Sequence, residues 1–118
     1  MQRFIIEMGM GNDLHGMDYT KAALRAVEDA FRHSTLPIFA TLDIPTDAMR
    51  VQVTVGVQDP DKLDTDALAL MLPRGVATVT AVKGGQNVGN AATGDTAVIA
   101  TAAIEAFLPS QAANWKPA

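Results

Sequence analysis

TAVIATAAIEAFL, residues 96–108, is apolar over almost its whole length, with Thr96, Thr101 and Glu105 as its only polar members. Asp95 precedes it as an N-cap and Pro109 follows it as a stop, so the stretch is expected to form a helix. Ala, Val, Ile, Phe and Leu then lie on every side of that helix, and a helix that is apolar all round is covered all round. One sheet in a small chain covers one side only. The other side is expected to meet a second subunit, which makes a homo-oligomer through this last helix the expected assembly.

Three β-rich runs supply the sheet. RFIIEM, residues 3–8, alternates Phe4, Ile6 and Met8 with Arg3, Ile5 and Glu7. MRVQVTVGV, residues 49–57, puts Met49, Val51, Val53, Val55 and Val57 on one face, and VATVTAVK, residues 76–83, ends at Gly84 and Gly85. LPIFATLDIP, residues 36–45, is bracketed by prolines and reads as an edge strand or an irregular segment. Between these runs, Asp18 caps a helix over 19–32 that places Ala23, Leu24, Val27, Ala30 and Phe31 opposite Lys21, Arg25, Glu28, Asp29 and Arg32. A shorter helix is expected over about 64–72, stopped by Pro73. The pattern predicts a single α+β domain over 1–118, built as a small mixed β-sheet from βα units with helices packed on one face, the first and last helices forming that layer.

Composition excludes several function classes. The chain of 118 residues is 48% apolar and 19% charged, a globular balance. Its net charge is −4 and its basic residues are scattered singly, which removes the electrostatic footprint of nucleic-acid binding. Without cysteine there is no thiolate nucleophile and no Cys-based zinc site. No apolar run approaches the roughly 20 residues that cross a bilayer, and MQRFIIEMG has no signal-peptide pattern, so no membrane partner and a cytoplasmic location are expected.

The candidate site is GMGNDLHG, residues 9–16. Gly9-x-Gly11 after a strand and before a helix begins a dinucleotide fingerprint, but Leu14 stands where the third small residue is needed, and no Lys-Ser/Thr pair follows for a P-loop. What remains is a glycine-rich turn whose N–H groups favour an anion, with Gly9, Gly11, Asn12 and Gly16 as ligand-binding residues, or a turn that needs positive φ. Asp13 and His15 are two apart, so in an extended segment they point the same way. Asp13 then orients the imidazole and His15 transfers the proton. The bland reading ties Asp13 into the loop and gives His15 a carbonyl partner. As metal ligands they are two only, with a third to come from Glu7, Asp95 or His33, and no metal site is expected. His33 closes the first helix and reads as structural.

Lys83, at the end of a face formed by Ala77, Val79 and Ala81, is the third candidate catalytic residue, as an electrostatic stabiliser beside Gly84 and Gly85, or else it reaches to water. GGQNVGNAATGD, residues 84–95, reads as a long binding loop in which Asn87 and Asn90 offer amide groups. It is expected to meet residues 9–16 at one end of the sheet. Ser34 and Ser110 lie in no nucleophile motif, and Trp115 is expected to pin the tail.

Gly9, Gly11, Asp13, His15 and Gly16 resemble the GxGxDxHG motif of a small family of conserved hypothetical proteins of bacteria and plants, known by a Lin-prefixed locus tag. The resemblance covers nearly the whole chain. It implies a shared site at residues 9–16 and names no activity. A similarity of architecture alone links the βα units to ring-opening amidohydrolases, which resemble one another in Ser-Lys pairs, whereas Lys83 has no serine at a matching place. Three readings follow: acid/base chemistry on a small molecule, binding of a small anion or metabolite without catalysis, and a structural or assembly role.

Overall fold

The computed structural model describes residues 1–32, 48–72 and 76–109. The readings made for 36–45, His33, Ser34, Ser110 and Trp115 lie outside them. Strand β1 (Gln2–Asp13) leads into helix α1 (Tyr19–Arg32), followed by β2 (Arg50–Val57), a short 3-10 turn (Pro60–Lys62), α2 (Thr65–Leu70), β3 (Val76–Lys83), β4 (Gln86–Gly89) and β5 (Thr96–Leu108). The fold is α+β, among the described residues a mixed five-stranded sheet with two helices.

The expectation for residues 96–108 is overturned. They form β5, the central strand, in a sheet ordered β1-β5-β2-β3 with β4 also paired to β5. On one side β1 runs antiparallel to β5 from Gln2↔Leu108 to Asp13↔Val98. On the other, β2 pairs with residues 101–107 and β4 with residues 96–99. Residues 98–99 and 101–107 of β5 thus have neighbours on both edges, so a strand gains the backbone pairing that an isolated helix would have made internally. The homo-oligomer through a last helix goes with that helix, and so does half of the expected helical layer.

Alanine explains how the layers meet. The buried face of α1 carries Ala22, Ala26 and Ala30 against Gly9 and Gly11 of β1, with Ala23 buried beside them in the core. The inner face of β5 adds Ala100, Ala102 and Ala106, with Val51, Val53, Val55 and Val57 of β2 completing the core. Small residues on both surfaces let the helix axis approach the sheet closely, and dispersion contacts are made with backbone atoms instead of long side chains. Leu68 of α2 is buried in the same core, and Asp64 caps that helix by accepting from Ala67 N at 3.1 Å.

Strand β3 runs parallel to β2 up to Lys83↔Val57, and the chain then crosses to pair with β5. Gly85 makes the crossing. Its φ is +60°, and a Cβ there would run into the Ile99 carbonyl oxygen, so only glycine fits. The expected twelve-residue loop is therefore a strand and a hairpin turn. Strand β1 also runs five residues past its expected end, taking Gly9, Gly11, Asn12 and Asp13 out of the loop. Its outer edge is closed in part by α1: Met10 N donates to Asp29 Oδ2 at 3.0 Å and Arg25 donates to the Asn12 carbonyl at 2.5 Å. Among the described residues no helix is long and apolar enough to cross a membrane.

Candidate functional site

Gly9 and Gly11 serve packing. A Cβ on Gly9 would sit 2.5 Å from both Ala26 O and Ala30 N, and one on Gly11 would lie 2.5 Å from Ala22 O. Their N–H groups belong to a strand that is paired along its length, so the concavity expected of a glycine-rich turn does not form around them. The chain turns after Asp13, where Gly16 has φ +90° and Met17 follows at +52°. Asn12 is exposed at the strand edge, with its carbonyl held by Arg25.

Asp13 faces inward and is buried at 3% exposure. Its Oδ2 accepts from Asp18 N at 2.9 Å, while Lys21 Nζ and Arg25 Nη1 stand 3.8 and 3.9 Å from Oδ1. The carboxylate holds the 14–17 turn closed against the start of α1, and two cations from the helix offset its charge. Asp18 caps α1 as expected, accepting from Lys21 N at 3.0 Å. Asp13 and His15 are not brought together.

His15 is paired instead with Asp95, whose Oδ2 lies 3.2 Å from His15 Nδ1. Asp95 ends the β4–β5 hairpin turn, which is held by Asn90: its side chain accepts from Ala92 N at 3.0 Å and its backbone N donates to Asp95 O at 2.8 Å. The segment after β1 and the segment after β4 therefore do meet, at the end of the sheet. Between them opens a cleft of about 520 Å³, in which Leu14, Val88 and Ala97 offer apolar surface and His15, Asp95 and Thr93 offer polar groups. Both members of the pair are solvated, with side chains 79% and 48% exposed. An imidazole oriented by a carboxylate on one nitrogen leaves the other free to give or take a proton.

Lys83 does not join this cleft. It stands exposed at the end of β3, and β1 and β3 lie three strand spacings apart, about 14 Å across the sheet. Gly84 and Gly85 shape the crossing between strands; Gln58 Nε2 donates to their carbonyls at 3.0 and 3.3 Å. Among the described residues no three His, Asp or Glu side chains gather so as to hold a metal ion.

The sequence reading placed Asp95 as a helix cap and so missed it as the partner of His15. The signal available was the turn chemistry of NAATGD between two β-forming runs, with Gly94 at φ +77°. A second cluster was also missed. Asn87 stands on the inner face opposite Val98, which itself stands opposite Asp13, and its Nδ2 donates to the Tyr19 hydroxyl at 2.9 Å. Asn87 Oδ1 is buried with no protein partner among the described residues.

Comparison with known proteins agrees with this architecture and names no chemistry. A family described as "Conserved hypothetical protein (Lin0512_fam)" matches residues 3–106. A crystal structure from Nostoc punctiforme PCC 73102, described as an FtsZ-like protein of unknown function, is 34% identical, with a TM-score of 0.82 over 92% of this chain and 97% of that one. No curated protein matches.

Proposed function

The chain belongs to the Lin0512_fam family of conserved hypothetical proteins, and we propose that it binds a small polar molecule in the cleft between the 14–17 turn and the β4–β5 hairpin, with His15 as its proton-transfer group. The observation that carries this reading is the contact of His15 Nδ1 with Asp95 Oδ2 at the lining of an open cleft. Asp95 favours the tautomer with the proton on Nδ1, so Nε2 is the nitrogen that meets a ligand. Leu14, Val88 and Ala97 supply the apolar body of the site, which suits a ligand small enough for one wall and a few directed hydrogen bonds. Asp13 and Lys83 take no part in the chemistry: the first positions the turn that carries His15, and the second lies on another edge of the sheet.

The test is a thermal-shift screen of small metabolites against the wild type, His15→Ala and Asp95→Asn, followed by calorimetry on any hit. A ligand at about 100 times its Kd stabilises the folded state by about 2.7 kcal/mol, a readily measured rise in Tm. The expected hit raises the wild-type Tm and loses affinity or turnover in both variants. Loss of turnover with affinity retained in His15→Ala assigns proton transfer, and loss of affinity alone assigns binding without catalysis. A hit that binds all three proteins equally well sinks the site.

A further inference from the structure

The sheet has two faces, and among the described residues the helices cover one. On the other, Ile6, Met8 and Met10 of β1 stand in a row opposite Glu105, Ala103 and Thr101 of β5, flanked by Ile99 and Phe107, and Phe4 is exposed at the irregularity between Arg3 and Ile5. Met8 and Met10 are 67% and 57% exposed, Phe4 and Ile6 42% and 39%. A strand that faces water on one side alternates apolar with polar residues, and one that is apolar on both faces is covered on both. Strand β5 carries Ala97, Ile99, Ala103 and Phe107 outward, with Thr101 and Glu105 among them, as well as Val98, Ile104 and Leu108 inward, so its outer face is more apolar than that of a strand with one side in water.

We propose that a second copy of this chain covers this face, forming a two-fold dimer in which two sheets pack against each other between two outer helical layers. Charge favours a second copy over a charged partner. The chain has thirteen acidic residues and a net charge of −4. Of the charged residues described on this face, Glu105 is paired with Arg3 at 3.3 Å, and Arg50, opposite Phe107, lies at the same end of the sheet. The part of the face around Met8 and Met10, opposite Ala103 and Thr101, carries no described charged side chain, so two copies can meet there without like-charge repulsion and a strongly charged partner finds no complementary field in it. Gln52 is likewise satisfied in place, donating to Thr80 Oγ1 at 3.1 Å. Area favours it too. Four strands at about 4.8 Å and about nine residues at about 3.4 Å give a face of about 600 Å² per copy, with β1 and β5 as its apolar half and Gln52, Thr54, Thr78 and Thr80 as its polar half, so two copies bury about 1,200 Å², above the roughly 1,000 Å² of a specific interface. Twisted sheets of this kind pack face to face about 10 Å apart with interdigitated side chains, as the unbranched Met8 and Met10 allow.

The experiment is light scattering coupled to gel filtration at about 50 μM, with methionine oxidation as a second readout. The wild type is expected to run at twice the 12.4 kDa chain mass, with Met8 and Met10 protected from peroxide and Met17, which lies off this face, oxidised. Met8→Lys is expected to weaken association about 30-fold or more, as for an interface hot spot, and to expose Met10 while far-UV circular dichroism stays native. Met8→Leu keeps the dimer, and Leu70→Lys, on the exposed side of α2, leaves it unchanged. Thr54→Lys, at the same face of β2, is the second variant should Met8→Lys fold poorly. A wild-type monomer overturns the proposal, whether Met8 oxidises freely or is shielded by another stretch of the chain. A dimer that survives both Met8→Lys and Thr54→Lys overturns it as well, because its interface lies elsewhere.

Discussion

Asp95 Oδ2 lies 3.2 Å from Nδ1 of His15 across 80 residues of sequence, joining the tip of the β4–β5 hairpin to the turn that leaves β1. Both groups are largely solvated, so the pair serves the geometry of the cleft more than the stability of the fold. His15→Ala and Asp95→Asn are expected to change unfolding free energy by no more than about 0.5 kcal/mol each in chemical denaturation. A loss several times larger in either variant would mean that the pair holds the hairpin in place.

Gly11→Ala separates packing from ligand binding at the glycines. Its methyl group meets the backbone of α1 at Ala22 and Ala26, which cannot yield without moving the helix, so a loss of about 1–3 kcal/mol or more is expected in urea unfolding. Gly89→Ala, with open space around it and no positive φ, is the control and is expected to be nearly neutral. Equal stability of Gly11→Ala and wild type would contradict the close helix–sheet contact.

Asp13 holds the turn before α1. Asp13→Ala leaves Asp18 N without its acceptor and removes the counter-charge of Lys21 and Arg25, at an expected cost of about 1–3 kcal/mol. Asp13→Asn retains an acceptor oxygen and is expected to fall between Ala and wild type. Calorimetric unfolding checks the order. If Asn proved as damaging as Ala, charge and not the hydrogen bond would be the main contribution.

Tyr19→Phe tests the Asn87 cluster. Removing the hydroxyl leaves the Asn87 amide without its partner, at an expected cost of about 1 kcal/mol, with hydrogen exchange speeding up in β4 before it does in β2. No change in β4 exchange would show that the Tyr19 contact does not hold the strand down.

Much of this was legible from local pattern. Residues 19–32 show helical periodicity over four turns with a capping aspartate, and α1 forms there; residues 50–57 alternate valines with polar side chains, and β2 forms there. Such elements are specified by the period of their own buried face. Residues 96–108 are not, because alanine favours helix in isolation while Val98, Ile99, Ile104 and Phe107 favour a strand, and the apolar character runs through both periods.

By itself, then, the sequence determined the α+β class, the first helix and three of the strands, while the packing role of Gly9 and Gly11 against α1 emerged only from the structure. The tertiary structure alone decided that residues 96–108 are a central strand, because pairing with β1, β2 and β4 satisfies both of its edges. It also decided that His15 pairs with Asp95 and not with Asp13. Asp13 ends an inward-facing strand and is drawn to the helix start, while the hairpin that delivers Asp95 exists only once β4 and β5 have paired. Local periodicity encodes which face of an element is buried. Which elements become neighbours depends on backbone pairing between distant stretches, and that has no local signature.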